Sequence, residues 1–386
     1  MSEDVQRGLR GVVVAESDLS YIDGDEGRLV YRGYSIEDIA REATFEEVLY
    51  LLWHGELPTR DARETFAAEM AADRAVEASV LDTLAALAAA DERPMAALRT
   101  AVSMLSAADP EPEADPGDGA AALRKGRRIT AKVPTILAAY DRLRNGLDPV
   151  APREDLDHAA NFLYMLDGEE PDPVAAETFD MALTLHADHG LNASTFTAMV
   201  VCSTLADMYN SVTAGIGALA GPRHGGANQD VMEMLLEIDD SGEDPVDWVA
   251  TALEEREDWR VPGWGHGVYN VKDPRAVILE AKSRDLGQQT GDPKWYEMAS
   301  AIETYLTEEK GLPAHGIAPN VDFYSGTVYY QLGIPFDMYT PIFAMSRVGG
   351  WTAHVLEYHE DNRLIRPRAK YVGAKRREWI PVEDRT

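Results

Sequence analysis

The sequence predicts a mainly α-helical protein of two domains, with a small β segment near its N-terminus. Three observations predict it. Ala/Leu/Met-rich segments fill residues 61–107, 129–144, 153–166, 175–188 and 194–219, a composition of strong helix formers. β-rich patterning is confined to residues 10–34. After Gly221 the texture changes to shorter helices and Gly/Pro-rich loops. At 386 residues the chain also exceeds one ordinary hydrophobic core.

The elements follow in order. Tyr21-Ile22-Asp23-Gly24-Asp25-Glu26-Gly27 is a turn signal between the apolar runs Val12-Val13-Val14 and Leu29-Val30-Tyr31. Ser35 is placed to cap a helix carrying Ile36, Ile39 and Ala40 at helical spacing, and Thr44-Phe45-Glu46-Glu47 has the capping-box pattern. The acidic, Pro-containing stretches 109–119 and 168–173 read as surface loops. Residues 222–325 read as a smaller domain inserted into a larger one, 1–221 with 326–386. A cleft between two such domains is a usual place for a ligand.

Charge narrows the choice of partner and milieu. Sixty-seven acidic residues against 36 basic ones give a net charge of −31, which disfavours nucleic acid as a partner. A hydrophobic content of 45% is too high for a disordered acidic chain. Only eight of the basic residues are lysines and twenty-eight are arginines, a balance resembling proteins of salt-accumulating halophiles. The lone Cys202 excludes an internal disulfide framework and a thiolate metal site. Met1 to Val5 lack a signal pattern and no apolar run is long enough for a membrane span, so a cytoplasmic protein is expected.

Three punctuated stretches each present one ionisable residue: Gly221-Pro222-Arg223-His224-Gly225-Gly226, Val261-Pro262-Gly263-Trp264-Gly265-His266-Gly267 and Pro319-Asn320-Val321-Asp322-Phe323-Tyr324-Ser325-Gly326. Two imidazoles and a carboxylate form an acid/base set on shaped loops. His224 precedes a helix expected near Gly226, whose dipole would favour neutral imidazole; alternatively it only bonds its own turn. The Gly-x-Gly before His266 is neither a Rossmann fingerprint nor a P-loop, because no strand-like run precedes it, the third glycine is at the wrong spacing and no Gly-Lys-Ser/Thr follows. It leaves an open backbone loop able to take a flat nucleotide base, or a structural turn. Asp322 among apolar neighbours is either a helix cap or a desolvated base.

His186 and His189 close a helix before Gly190, at a spacing that suits a metal, an anion or a purely structural role. Arg275, Arg347 and Arg366 stand beside loops, where guanidinium forks could clamp a di- or tricarboxylate, or serve as surface ion-pair partners.

Taken jointly, the ordered series His-Ala-Asp-His-Gly, Gly-Pro-Arg-His-Gly-Gly-Ala-Asn, Val-Pro-Gly-Trp-Gly-His, Asp-Pro-Arg, Pro-Asn-Val-Asp-Phe-Tyr-Ser-Gly, Ser-Arg-Val-Gly-Gly and Arg-Pro-Arg resembles the citrate synthase family. Ile22-Asp23-Gly24 to Tyr31-Arg32-Gly33-Tyr34 extends the resemblance over nearly the whole chain. It implies an all-helical homodimer whose large domain provides dimerisation and the oxaloacetate site, and whose small domain provides the CoA site. It further implies condensation of acetyl-CoA with oxaloacetate and hydrolysis of citryl-CoA, with CoA as co-substrate and no resident cofactor or metal.

By that resemblance Asp322 is the base, His224 stabilises the enol and His266 serves the oxaloacetate carbonyl. His189, Arg275 and Arg347 bind the dicarboxylate, and Arg366 reaches the site across the dimer interface. Val261, Pro262, Gly263, Trp264 and Gly265 receive the CoA adenine. Members of the family often carry a basic residue before the Pro-Asn-Val-Asp segment, where Leu312 to Ala318 offer only His315. Lys272 is the expected phosphate contact instead. The alternatives are a 2-methylcitrate synthase using propionyl-CoA, a catalytically silent carboxylate-binding protein, and a metal-dependent lyase built on His186 and His189.

The charge makes its own testable statement. At molar salt the Debye length is about 3 Å, so self-repulsion that strains the fold in dilute buffer is largely screened. Desalting is expected to abolish activity. Full activity persisting for days after dialysis into low salt would refute this.

Overall fold

The computed structural model describes residues 5–9 and 11–385. Among the described residues it contains one small antiparallel sheet and sixteen α-helices. The sheet comprises β1 (Ser20–Asp23), β2 (Arg28–Tyr31) and β3 (Tyr34–Ser35), with Ser20 opposite Tyr31 and Asp23 opposite Arg28. The strand paired with Leu29-Val30-Tyr31 is therefore Ser20–Asp23. Val12-Val13-Val14, the expected partner, is irregular, and Val13 is 87% exposed. The first strand thus falls within the expected turn signal, because Leu19 and Ile22 have a core to face and Val12–Val14 do not.

The helices of the first group are α1 (Ile36–Glu42), α2 (Phe45–His54), α3 (Arg60–Ala72), α4 (Ala78–Ala89), α5 (Pro94–Met104), α6 (Gly119–Arg144), α7 (His158–Asp167), α8 (Pro173–His186), α9 (Ala193–Cys202) and α10 (Met208–Leu219). Their starts follow local chemistry. Ser35 caps α1, and Thr44 with Glu47 completes the capping box of α2. The segment 61–107 divides into three helices and 194–219 into two, while the helix expected at 129 begins ten residues earlier at Gly119, behind the cap Asp118.

A second group contains α11 (Ala227–Ser241), α12 (Pro245–Glu255), α13 (Pro274–Thr290), α14 (Lys294–Thr304) and α15 (Val321–Gln331), which pack mainly on one another. Helix α15 runs unbroken through 325/326, so a domain boundary there would cut it. Helix α16 (Tyr339–Glu360) then returns to the first group and is buried from Tyr339 to Val355.

Helix α16 organises the core through two neighbouring stripes of i, i+4 residues. Ser346, Gly350 and His354 face the C-terminal end of α8: the Ser346 hydroxyl donates to the Leu183 carbonyl and His354 Nε2 lies 3.1 Å from Asp188 Oδ1. At Gly350 a Cβ would stand 2.4 Å from the Ala187 carbonyl oxygen and 2.6 Å from Asp188 Oδ1, so a larger residue would push the helix off this turn. Phe343, Arg347 and Trp351 form the second stripe and point to the cavity described below or to the residues around it.

Asp188 is fully buried and joins three elements. It accepts from the Ser20 hydroxyl in β1, from the Gly190 amide at 3.1 Å and from His354 in α16. Burial alone would raise its pKa, but His354, Arg347 and Ser20 outweigh that and hold it at about 2. A folded pKa below the unfolded value means that its stabilisation is present above about pH 4 and is lost as the pH falls towards 2.

His354→Ala leaves this carboxylate buried without one of its donors. The expected loss is about 3–5 kcal/mol of unfolding free energy, measured by denaturation in molar salt at neutral pH. A loss near zero would mean that Ser20 and Gly190 suffice.

Candidate functional site

The three acid/base candidates lie on one cavity of about 270 Å³. Its lining includes Asp322, His224, His266, His189, Arg275 and Arg347. Each reaches it from a different element: His224 from the loop before α11, His266 from the loop between α12 and α13, Asp322 from the first turn of α15, His189 from the α8–α9 turn, Arg275 from the first turn of α13 and Arg347 from α16.

Backbone pairing brings the His266 and Asp322 loops together. Gly265 N–H donates to the Ala318 carbonyl at 2.8 Å, Asn320 N–H to the Gly263 carbonyl at 2.9 Å, and the Asn320 side chain to the Gly265 carbonyl at 2.9 Å. At Gly263, φ is +73° and a Cβ would lie 2.9 Å from Phe323 Cα, so only glycine fits this crossing. Val261–Gly265 is consequently less open than the sequence suggests, since several of its main-chain groups already hold the Asp322 loop. Asn320 caps α15 by accepting from the Asp322 amide at 2.9 Å. That leaves the Asp322 carboxylate uninvolved in capping and directed to the cavity.

Burial acts on all three groups, in opposite directions for acid and base. It raises the Asp322 carboxyl to about 6, with Arg275 pulling the other way. It lowers His224 to about 4, reinforced by Arg347. His266 is lowered to about 4 by the surrounding protein and Arg275, although its ring stands on the open side of the cleft. His189, buried beside two arginines, is lowered further. Near pH 7 the site therefore holds a weakly held carboxylate, neutral imidazoles and two guanidinium cations.

Backbone amides select the tautomers. Ser194 N–H can only donate and is shared between Asn192 Oδ1 at 3.1 Å and His224 Nε2 at 3.2 Å, so Nε2 is assigned as an acceptor and the ring proton to Nδ1. Ser194 is in the first turn of α9, so the helix N-terminus that engages His224 belongs to α9 and not to α11, as the sequence order suggested. Trp351 Nε1 donates to Ser194 Oγ at 3.2 Å, and that oxygen lies 2.8 Å from His224 Nε2. At His266, Nδ1 accepts from the Val268 and Tyr269 amides at 3.1 and 3.3 Å, placing its proton on Nε2. His189 Nε2 lies 3.2 Å from the Tyr269 hydroxyl.

The arginines differ. Arg275 is clamped by Asp273, through Nε at 3.0 Å and one terminal nitrogen at 2.7 Å, which leaves its other terminal nitrogen. Arg347 donates Nε to the His186 carbonyl at 2.8 Å and stacks on Phe343 at 4.7 Å; among the described residues its terminal nitrogens have no protein acceptor. Burial lowers its pKa to about 10, still fully charged at neutrality. Two cations on one wall suit a compact dianion.

Three expected residues lie elsewhere. Lys272, expected at a phosphate, sits 2.7 Å from Glu280 and 2.5 Å from Glu303 and over the Tyr324 ring, so its charge is already spent on two carboxylates. Arg366 is exposed on the irregular segment after α16 and does not line the cavity of its own chain. His186 donates from Nδ1 to the Ala182 carbonyl at 2.7 Å and packs edge-on against Phe343, outside the cavity lining. Ser194, Trp351 and Tyr269 were not singled out in sequence, although Ser194 stands two residues after the helix cap Asn192; Asn320 lies within the Pro-Asn-Val-Asp segment, but its role there was not read.

Comparison with known proteins bears on the family and the fold. Residues 8–368 match the family described as citrate synthase, C-terminal domain. A citrate synthase of Haloferax volcanii is 62% identical over 386 residues, all of both chains. The crystal structure of citrate synthase from Pyrobaculum aerophilum superposes with a TM-score of 0.92 at 43% identity, covering 99% of this chain and 95% of that one. A 2-methylcitrate synthase 1 of Corynebacterium glutamicum is 39% identical over 99% of each chain.

Titration tests the electrostatics directly. In labelled protein the Asp322 carboxyl is expected to titrate near pH 6, while His224 and His266 stay neutral to below pH 5 as Nδ1–H and Nε2–H forms respectively. Imidazole nitrogen shifts at pH 7 report both tautomers; the reverse assignment for either ring would overturn the donor scheme.

Proposed function

The chain belongs to the citrate synthase family, and we propose that Asp322, His224 and His266 divide the chemistry of its reaction. The reaction is the condensation of acetyl-CoA with oxaloacetate and the hydrolysis of citryl-CoA to citrate and CoA. The observation that carries the division of roles is the pair of amide-fixed tautomers facing one raised carboxylate. Asp322 removes a methyl proton from acetyl-CoA, a task its desolvation suits. His224 donates Nδ1–H to the thioester oxygen as negative charge develops there, and remains neutral in doing so. His266 donates Nε2–H to the oxaloacetate carbonyl as the new carbon–carbon bond forms.

Arg275 and Arg347 bind the carboxylates of oxaloacetate, with His189 as a neutral donor beside them. In a protein of net charge −31 these cations reverse the potential locally and draw in two anionic substrates. The loop Val261–Gly265 receives the CoA adenine. The second helical group, extended to Gln331, acts as the small domain and closes the cleft. CoA takes part as co-substrate, and no step calls for a resident cofactor.

The active unit is a homodimer in which Arg366 serves the other subunit's site. Supporting this, Arg366 stands on an extended tail whose Tyr371, Val372 and Trp379 are 67%, 89% and 81% exposed, apolar surface suited to a partner. Among the described residues no helix is long and apolar enough to cross a membrane, and the proposed location is the cytoplasm.

Thiol release from acetyl-CoA plus oxaloacetate in molar salt tests the scheme. D322N is expected to lower kcat by about 10²- to 10⁴-fold while oxaloacetate still binds by calorimetry. Wild-type turnover in that variant would remove Asp322 as the base. Propionyl-CoA in parallel is expected to be the poorer substrate, by a factor within the range of about 10 to 200 that one methylene contributes; a strong propionyl preference would reassign the acyl substrate.

A further inference from the structure

The β1–β2 hairpin reaches from the first helical group to the loop carrying His266, and we propose that its turn, Gly24 and Asp25, is a clasp that positions His266 for the reaction. The inference rests on the role given to His266 above. The root of the hairpin is fixed in the core. Ser20 donates to Asp188, the Tyr31 hydroxyl donates to the Asp188 carbonyl at 2.7 Å, and Leu29 and Tyr31 are fully buried. The turn itself is stiffened by Asp23, whose Oδ1 accepts from the Asp25 and Glu26 amides at 3.0 and 2.9 Å.

The tip meets the segment Val268–Lys272, which leads into α13 of the second group. Asn270 N–H donates to the Gly24 carbonyl at 2.8 Å, and its side-chain amide to Asp25 Oδ1 at 2.6 Å. A Cβ at Gly24 would stand 2.1 Å from the Val268 carbonyl oxygen, and one at Gly27 would stand 2.9 Å from Val271 Cγ2. Three consecutive amides are thus divided between two tasks: those of Val268 and Tyr269 hold His266 Nδ1, and that of Asn270 holds the hairpin. Whatever fixes Asn270 fixes the two donors that set the His266 tautomer and ring orientation.

Gly24 and Asp25 touch no reacting atom, so they are positioning residues. The backbone of Gly24 is in an ordinary region, where alanine brings no strain of its own, and the methyl acts only through its overlap with Val268. Such an overlap must move the turn and the loop apart. A displacement of about 1 Å at a catalytic group costs on the order of 10²-fold in rate.

The test compares G24A, D25A, D25N and H266A with the wild type in molar salt, reading kcat, amide exchange of the peptide spanning 266–272, and melting temperature. G24A is expected to lower kcat about 10- to 100-fold and to speed exchange in 266–272 while melting remains close to wild type. D25A is expected to do the same more weakly, and D25N, which keeps the Oδ1 acceptor, to restore wild-type values. Unchanged exchange in G24A and D25A overturns the clasp, whatever the rates. So does wild-type kcat in both alongside an inactive H266A. If H266A itself turns over normally, the role of His266 fails, and exchange alone then decides whether the hairpin holds the loop. Should G24A not fold, the contrast between D25A and D25N carries the comparison.

Discussion

The buried carboxylate of Asp188 is the constraint on which the rest of the molecule turns. A charge removed from water must be surrounded by donors, and here they come from β1, from the α8–α9 turn and from α16, elements far apart in sequence. Satisfying it fixes His189, the next residue, at the cavity wall. It also fixes the roll of α16, and with it Arg347, because His354 and Arg347 lie on neighbouring stripes of one helix. Hydrogen-bond satisfaction at one buried point thereby sets the floor of the substrate site.

On that floor, one cause produces two kinds of reactive group. Low polarity opposes charge in any form, so it raises a carboxyl and lowers imidazoles, bringing Asp322 towards working pH while leaving His224 and His266 as neutral donors. Direction is then supplied by backbone amides, which cannot reverse their polarity and so decide which ring nitrogen bears the proton. The side chains provide the chemistry, and the main chain provides its geometry.

Much of this was legible in the sequence. Helix content, the caps Ser35 and Thr44, and the loop setting of His224 and His266 follow from local rules of capping and of Gly/Pro punctuation, whereas Asp322, expected on a loop, stands in the first turn of α15. What was not legible depends on contacts between distant segments. The partner of β2 was misplaced because Val12–Val14 has the right residues but no core to face. Lys272 had the right spacing and charge, yet Glu280 and Glu303 reach it only after α13 and α14 fold together. The helix terminus that hydrogen-bonds His224 is that of α9, thirty residues earlier, and not that of α11. Trp351 and Ser194 gain their roles only by meeting each other.

The state of Cys202 has a practical side. It is the sole cysteine, wholly enclosed, and burial pushes its thiol up to about 12. At neutral pH it is neither ionised nor reachable, so it gives thiol reagents nothing to attack. Free CoA is then the one reactive sulfhydryl in a mixture of this protein and its substrates. A colour reaction for thiols can run in the same vessel as catalysis, with the protein itself chemically indifferent to the dye.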